Sequence, residues 1–190
     1  LAGPITSSSS EKAIKQGPLE NARVTDSPAV EVRPSFINTI DLSNITSLVD
    51  LRARLDGLDD CPLKHTASNL CFADGNPGAR VMIIGEVPGR DEDRMGVPFV
   101  GFAGQLLDKM LASIGLDRVS TYLTNILPWR PPGNRTPTAE EIVMLKPWLF
   151  RNVQLANPDF ILLLGGAAAK FVFCSQDGIL KLRGKWRDTD

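Results

Sequence analysis

The sequence predicts an α/β protein: a mainly parallel sheet covered by helices on both faces. Three observations carry this. Short apolar runs, Val81-Met82-Ile83-Ile84 and Phe160-Ile161-Leu162-Leu163-Leu164, alternate with amphipathic segments of helical period. Strands that are apolar throughout are those buried on both faces, the condition of a parallel sheet. With 190 residues, 43% hydrophobic and 23% charged, the chain can also build one ordinary core.

Residues 1–35 read as a disordered tail or linker. The run Ser7 to Ser10 is followed by polar residues without apolar periodicity, too little to offset the entropy of ordering. The globular domain is expected over 36–190. A helix is predicted over Ser47 to Leu58: Leu48, Leu51, Leu55 and Leu58 share a face, Ser47 can cap it, and Gly57 lies near its end. Val81 to Ile84, closed by Gly85, reads as a buried strand. A helix over Gly104 to Ile114 follows, with Leu106, Leu107, Met110, Leu111 and Ile114 on its apolar face. Val119 to Leu127 reads as the second strand. Thr138 and Glu141 form a capping-box pattern that opens a helix to about Ala156, and Pro147 inside it predicts a kink or break. Asp159 to Leu164 is the third strand, ended by Gly165-Gly166; a short helix from Ala167 and a strand near Ile179 to Leu182 complete the domain.

Composition narrows the function classes. Lys and Arg number 21 against 22 Asp and Glu, a net charge of −1, which excludes a bulk polycation but not a local nucleic-acid surface. The basic excess falls in residues 80–190, a weak pointer that a polyanion meets that part. No run of 18 apolar residues exists and the opening LAGPITSSSS lacks the pattern of a signal peptide, so neither a membrane segment nor a secreted protein is expected. Three widely spaced cysteines without a Cys-x-x-Cys pair, and the single His65, speak against a disulfide framework and a zinc site. Free thiols in a reducing cytoplasm are expected.

Ligands of such a sheet bind beyond the carboxyl ends of its strands. Gly85-Glu86-Val87-Pro88-Gly89 leaves the first strand; its spacing fits neither a dinucleotide fingerprint nor a phosphate loop. It is either a plain turn with surface acids or a loop whose glycines let backbone approach a ligand. Phe99, within Gly96-Val97-Pro98-Phe99-Val100-Gly101, is either core or a stacking platform for a base. Asn125, at the end of the second strand, is either a turn residue or an amide that reads a pyrimidine edge. Gly101-Phe102-Ala103-Gly104 opens a helix, whose start can face a phosphate.

Taken in order, GEVPGRDED, GVPFVGFAG, TNILPWRPPGNRTP and RGKW resemble the family 4 branch of the uracil-DNA glycosylase superfamily, from about Cys61 to Trp186. The resemblance implies a three-layer α/β/α sandwich around a short, mainly parallel sheet, and an enzyme that flips deoxyuridine out of DNA and hydrolyses its N-glycosidic bond in base excision repair. Phe99 would stack on uracil and Asn125 would read its edge. Glu86, with the backbone around Gly85 and Val87, would line the pocket for base and water. Glu92 and Asn134 match polar positions that support this loop pair, the three acids and amides Glu86, Glu92 and Asn134 forming the expected catalytic set. Gly101 and Gly104 at the helix start, and Arg130 and Arg135 by charge, would meet the DNA backbone.

Three departures qualify the resemblance. The family's four iron–sulfur cysteines fall at Leu58, Cys61, Trp129 and Leu145; one thiolate cannot hold a four-iron cluster, so no metal or cofactor is expected and the three large apolar residues would plug the space. The family's His-Pro-Ser-like motif, expected after Arg183-Gly184-Lys185-Trp186, is not in these 190 residues, and His65 lies in the wrong region to replace its histidine. Val87 stands where better-known relatives have a water-activating aspartate. A monomer acting on uracil in single- or double-stranded DNA, cytoplasmic and nucleoid-associated, is expected. The alternative is a non-catalytic uracil- or DNA-binding relative, such as a polymerase-associated module.

Overall fold

The structure, a computed structural model, describes residues 41–188; the tail expected over 1–35 lies outside them. Ser47 accepts the backbone N–H of Asp50 and opens α1 (Leu48–Asp56), which buries Leu51 and Leu55 and stops at Gly57. After α2 (Pro62–Thr66), a two-residue strand β1 (Asp74–Gly75) precedes β2 (Val81–Gly85). Two helices follow, α3 (Arg90–Met95) and α4 (Phe102–Ala112), then β3 (Thr121–Asn125). A 3₁₀ turn at Pro132–Asn134 leads to α5 (Ala139–Ala156), β4 (Phe160–Leu163), α6 (Gly166–Phe173) and α7 (Ile179–Leu182).

The sheet order is β1-β3-β2-β4, with β2 parallel to both β3 and β4 and only β1 antiparallel. Alternation along the central strands sets the layers. Met82, Ile84 and Tyr122 join the larger core with residues of α1 and α5, including Leu51, Leu55, Leu145 and Leu149. Ile83 and Leu123 face the other way and pack with Leu107 and Leu111 of α4. Met82, Ile83, Ile84 and Leu123 are wholly buried, each contributing on the order of 1.5–3 kcal/mol. The α/β/α expectation is met. Among the described residues no helix is long and apolar enough to cross a membrane.

Several elements differ from expectation. α4 starts two residues earlier, at Phe102, and only Leu107 and Leu111 of its five apolar candidates are buried; Leu106, Met110 and Ile114 are exposed. The sheet covers a narrower stripe of the helix than its apolar content would fill. Pro147 does not break α5, which runs unbroken for 18 residues. The roughly 3 kcal/mol cost of an interior proline is outweighed by the burial of Leu145, Trp148, Leu149 and Ala156 on both sides of it. The capping box is present: Thr138 Oγ1 accepts the Glu141 N–H at 3.3 Å and Glu141 Oε2 accepts the Thr138 N–H at 2.8 Å. β4 is an edge strand, with Phe160 and Leu162 exposed, so its apolar run does not reflect burial on both faces. Ile179–Leu182 is a helical turn, not a strand; a four-residue apolar run does not discriminate between the two periods. The short elements α2, β1 and α3 span two to six residues, too few to show a period in sequence.

Candidate functional site

β2 and β3 run side by side with Gly85 registered opposite Asn125, so the last residues of both strands meet at the carboxyl edge of the sheet. A cavity of about 440 Å³ opens there, lined by Gly85, Glu86, Val87, Gly89, Arg90 to Glu92, Phe99, Gly101 to Ala103, Asn125 and Leu164. Residues at or just beyond the ends of all three parallel strands therefore contribute, and the volume suits a small organic ligand.

The floor is set by Gly85. A Cβ there would fall 2.5 Å from Asn125 Oδ1 and 2.5 Å from Phe99 Cζ. The ring edge and the amide thus close on one point, nearer than the width of a base. Asn125 is 6% exposed, and its amide has no hydrogen-bond partner in the protein among the described residues. The amide lines the cavity, where its donor and acceptor are within reach of a ligand carrying the complementary pair.

Phe99 is held in an unusual backbone. Its φ is +57°, the left-handed region that side chains of its type rarely adopt. Two contacts on its carbonyl hold it there, and a pair of carboxylates fixes one of them. Gly104 of α4 approaches so closely that a Cβ would lie 1.7 Å from the Phe99 carbonyl oxygen. Arg118 Nη2 donates to that same oxygen. Arg118 is itself fixed, with Nε 2.9 Å from Asp108 Oδ1 and Nη1 2.6 Å from Asp74 Oδ2. Motif reading missed Arg118, Asp74 and Asp108.

Glu92 is buried and ties two loops together. Its Oε1 accepts the Gly101 N–H at 2.8 Å, and its Oε2 lies 2.6 Å from where a Gly89 Cβ would stand. Asp93 beside it accepts the N–H and hydroxyl of Ser68 at 2.8 and 3.1 Å. Cys71 Sγ donates to the Glu92 carbonyl at 3.0 Å; burial, with Asp93 and Glu92 nearby, pushes this thiol up to about 12, so it stays protonated. Glu86 is exposed at the rim, and the Gly85 carbonyl is fixed by the Ile126 N–H at 2.9 Å.

Of the remaining expected residues, Gly101 lines the cavity, and Gly104, Arg130, Asn134 and Arg135 do not. Asn134 lies on the exposed 3₁₀ turn, where its Oδ1 accepts Arg130 Nε at 2.7 Å, so it does not support the loop pair. Arg135 is bound to Glu141 through both ends of its guanidinium, at 2.9 and 2.5 Å, on the exposed turn outside the cavity lining. Gly101 lines the cavity with its N–H taken by Glu92, and Gly104 is buried against Phe99. His65 contacts the Asp59 carbonyl at 2.7 Å, outside the cavity lining.

Of the positions where the resemblance would place cluster cysteines, Cys61, Trp129 and Leu145 are buried and Leu58 packs against the same core. Only Cys61 offers a ligating atom, and burial, its leading influence, raises its thiol pKa, opposing the thiolate a metal requires. No group of three or more potential metal ligands exists among the described residues. These side chains do not fit an iron–sulfur cluster.

Fold and cavity together define an α/β domain with an open cavity at its strand ends. A model of the uracil DNA glycosylase superfamily matches residues 72–189, and the chain belongs to that superfamily. It is 46% identical over 127 residues to the type-4 uracil-DNA glycosylase of Archaeoglobus fulgidus, covering 67% of this chain and 64% of that protein. It is 41% identical over 125 residues to the type-4 uracil-DNA glycosylase of Thermotoga maritima, covering 65% of each. The matched region thus spans just under two thirds of these relatives. It is also 34% identical over 112 residues to a DNA polymerase of Bacillus phage SP01, of which the match covers 12%.

Proposed function

We propose that this domain removes uracil from DNA. A deoxyuridine leaves the strand and enters the cavity at the ends of β2 and β3, Phe99 stacks on the pyrimidine, and the Asn125 amide pairs with its edge. The C1′–N1 bond breaks with its electron pair departing on uracil. Water adds its oxygen to C1′ and gives up a proton, while uracil takes one up. Charge grows on the leaving base and on an oxocarbenium-like sugar, so catalysis rests mostly on electrostatic stabilisation in a water-poor site. Glu86, exposed at the rim, orients the water and opposes the sugar's positive charge. Glu92 acts through the loops it joins. No iron–sulfur cluster takes part, and the protein acts as a monomer in the cytoplasm.

The observation that carries this reading is the convergence of Phe99 and Asn125 on Gly85 within one cavity. The test is a uracil-containing oligonucleotide incubated with the protein and then heated in alkali, which cleaves abasic sites. Strand breakage at uracil, and none at cytosine or thymine, is expected. The second reading, a non-catalytic polymerase-associated module, is favoured by the stretch shared with the phage polymerase. Uracil-dependent binding without breakage would select it.

A further inference from the structure

We infer that Phe102 is a stacking platform for the base next to the extruded nucleotide. The inference rests on the pocket reading above and adds a second base subsite to it. Phe102 is 86% exposed, and it alone among the exposed large apolar side chains of the described residues lines the cavity. It is the first residue of α4, and its backbone is anchored: the preceding Gly101 N–H is held by the Glu92 carboxylate at 2.8 Å. The backbone that carries the ring is therefore held at the rim, while the ring itself gains almost no burial in the free protein.

The substrate dictates what meets it. A nucleotide inside the cavity stays covalently joined to both neighbours, which must lie across the rim. The extruded base has left a gap in the stack, so the neighbouring base has lost one of its own faces of contact. An exposed aromatic ring restores it, and base–aromatic stacking tolerates any sequence because every base has a π-face. Arg90, exposed and lining the same cavity, supplies a cation for the intervening phosphate. Leu106 continues the exposed face one turn along α4, which gives the strand an apolar surface to follow away from the pocket.

The test is a cycle of four binding measurements by fluorescence anisotropy. The DNA is a single-stranded oligonucleotide whose deoxyuridine carries a 2′-fluorine, which slows cleavage, made with and without the bases flanking it. Removing the relevant flanking base is expected to weaken binding of the unaltered protein roughly tenfold. Phe102→Ala is expected to weaken binding to the intact oligonucleotide by the same factor, to be insensitive to the missing base, and to keep its thermal midpoint because the ring is exposed. Phe102→Trp should recover the loss. The inference is overturned if Phe102→Ala binds as tightly as the parent, or if the two losses multiply independently. It is also overturned if the substitution alters only the protein's sedimentation, which would make α4 a protein interface. A parent protein that neither binds nor cleaves uracil-DNA in preference to thymine-DNA removes the pocket reading itself, an outcome distinct from the failure of Phe102 alone.

Discussion

The guanidinium of Arg118 donates to the carbonyl oxygen of Phe99 and is itself gripped by Asp108 and Asp74. One side chain therefore joins the loop before α4, the helix, and the strand β1 into the frame that aims the Phe99 ring. Lysine keeps the charge but lacks the fork. Arg118→Lys is expected to raise the Kd for uracil-DNA about tenfold or more, given that a hydrogen bond to a charged group is worth roughly 1.5–3 kcal/mol. A merely structural role would lower stability in every background. A positioning role predicts that Arg118→Lys has little further effect on binding once Phe99 is already alanine, which a double-mutant cycle measures.

Two glycines beside Phe99 should respond differently to the same added methyl. At Gly104 the new Cβ meets the Phe99 carbonyl at 1.7 Å, a backbone atom that cannot swing away. Gly104→Ala is expected to lower the unfolding free energy, read from denaturant titration, by at least the roughly 1–3 kcal/mol typical of overpacking. At Gly85 the Cβ meets two side-chain atoms, Asn125 Oδ1 and Phe99 Cζ, which can rotate. Gly85→Ala should leave most of the stability and abolish uracil excision by filling the cavity floor. Equal stability losses at both sites would show that the floor is as rigid as the backbone contact.

Selectivity should reside in Asn125. A carboxylate lacks the amide donor, and burial of this position would push an aspartate's pKa upward. Asn125→Asp is expected to relax or reverse the choice of uracil over cytosine, read as the ratio of kcat/KM for oligonucleotides bearing either base. Phe99→Ala should instead weaken both by about 1–3 kcal/mol. Unchanged selectivity in Asn125→Asp would take the reading role from this amide.

The contrast between Asn125 and Arg118 marks what the chain discloses before it is folded. The position of Asn125 is legible because it lies near the end of a strand-like segment, and strand ends bind ligands. The capping box at Thr138 and the α1 stop at Gly57 are legible for the same reason: each acts within three or four residues. Arg118 reaches partners 10, 19 and 44 residues away, and no local period carries such contacts. Arg135 has a second role that its charge and motif do not signal: Glu141, six residues on, is both the capping-box acid and the partner of its guanidinium. The apolar face of α4 is misleading, since periodicity reports a stripe without saying how much of it the sheet covers.

That Arg135–Glu141 pair makes acid stability specific. The Arg135 guanidinium holds the Glu141 carboxyl below its ordinary 4.5, with the Thr138 N–H adding to it. A carboxyl depressed in the folded state contributes its stability in full above its unfolded pKa and loses it as pH falls through the folded one. Unfolding free energy is therefore expected to decline as pH drops below about 4.5, and Glu141→Gln should flatten that decline while lowering stability at neutral pH. Urea midpoints taken across the acid range measure both. An unchanged acid slope in Glu141→Gln would assign the dependence to other carboxyls.

The core is closed where the resemblance would put an iron–sulfur cluster. Trp129 and Leu145 are buried to within 2% of full burial and Cys61 is wholly buried, so the space is filled by side chains that hold nothing but one another. Such packing stabilises by apolar area, on the order of 25 cal/mol per Å², and does not depend on metal. Freshly purified protein should be colourless and free of iron, and its thermal midpoint should not move with a chelator or a reductant. Trp129→Ala should open a void and cost about 3–5 kcal/mol, whereas Cys61→Ala, a small apolar replacement for a protonated thiol, should cost far less. A visible charge-transfer band that bleaches on reduction, or a midpoint that falls with chelation, would mean that Cys61 finds ligands elsewhere.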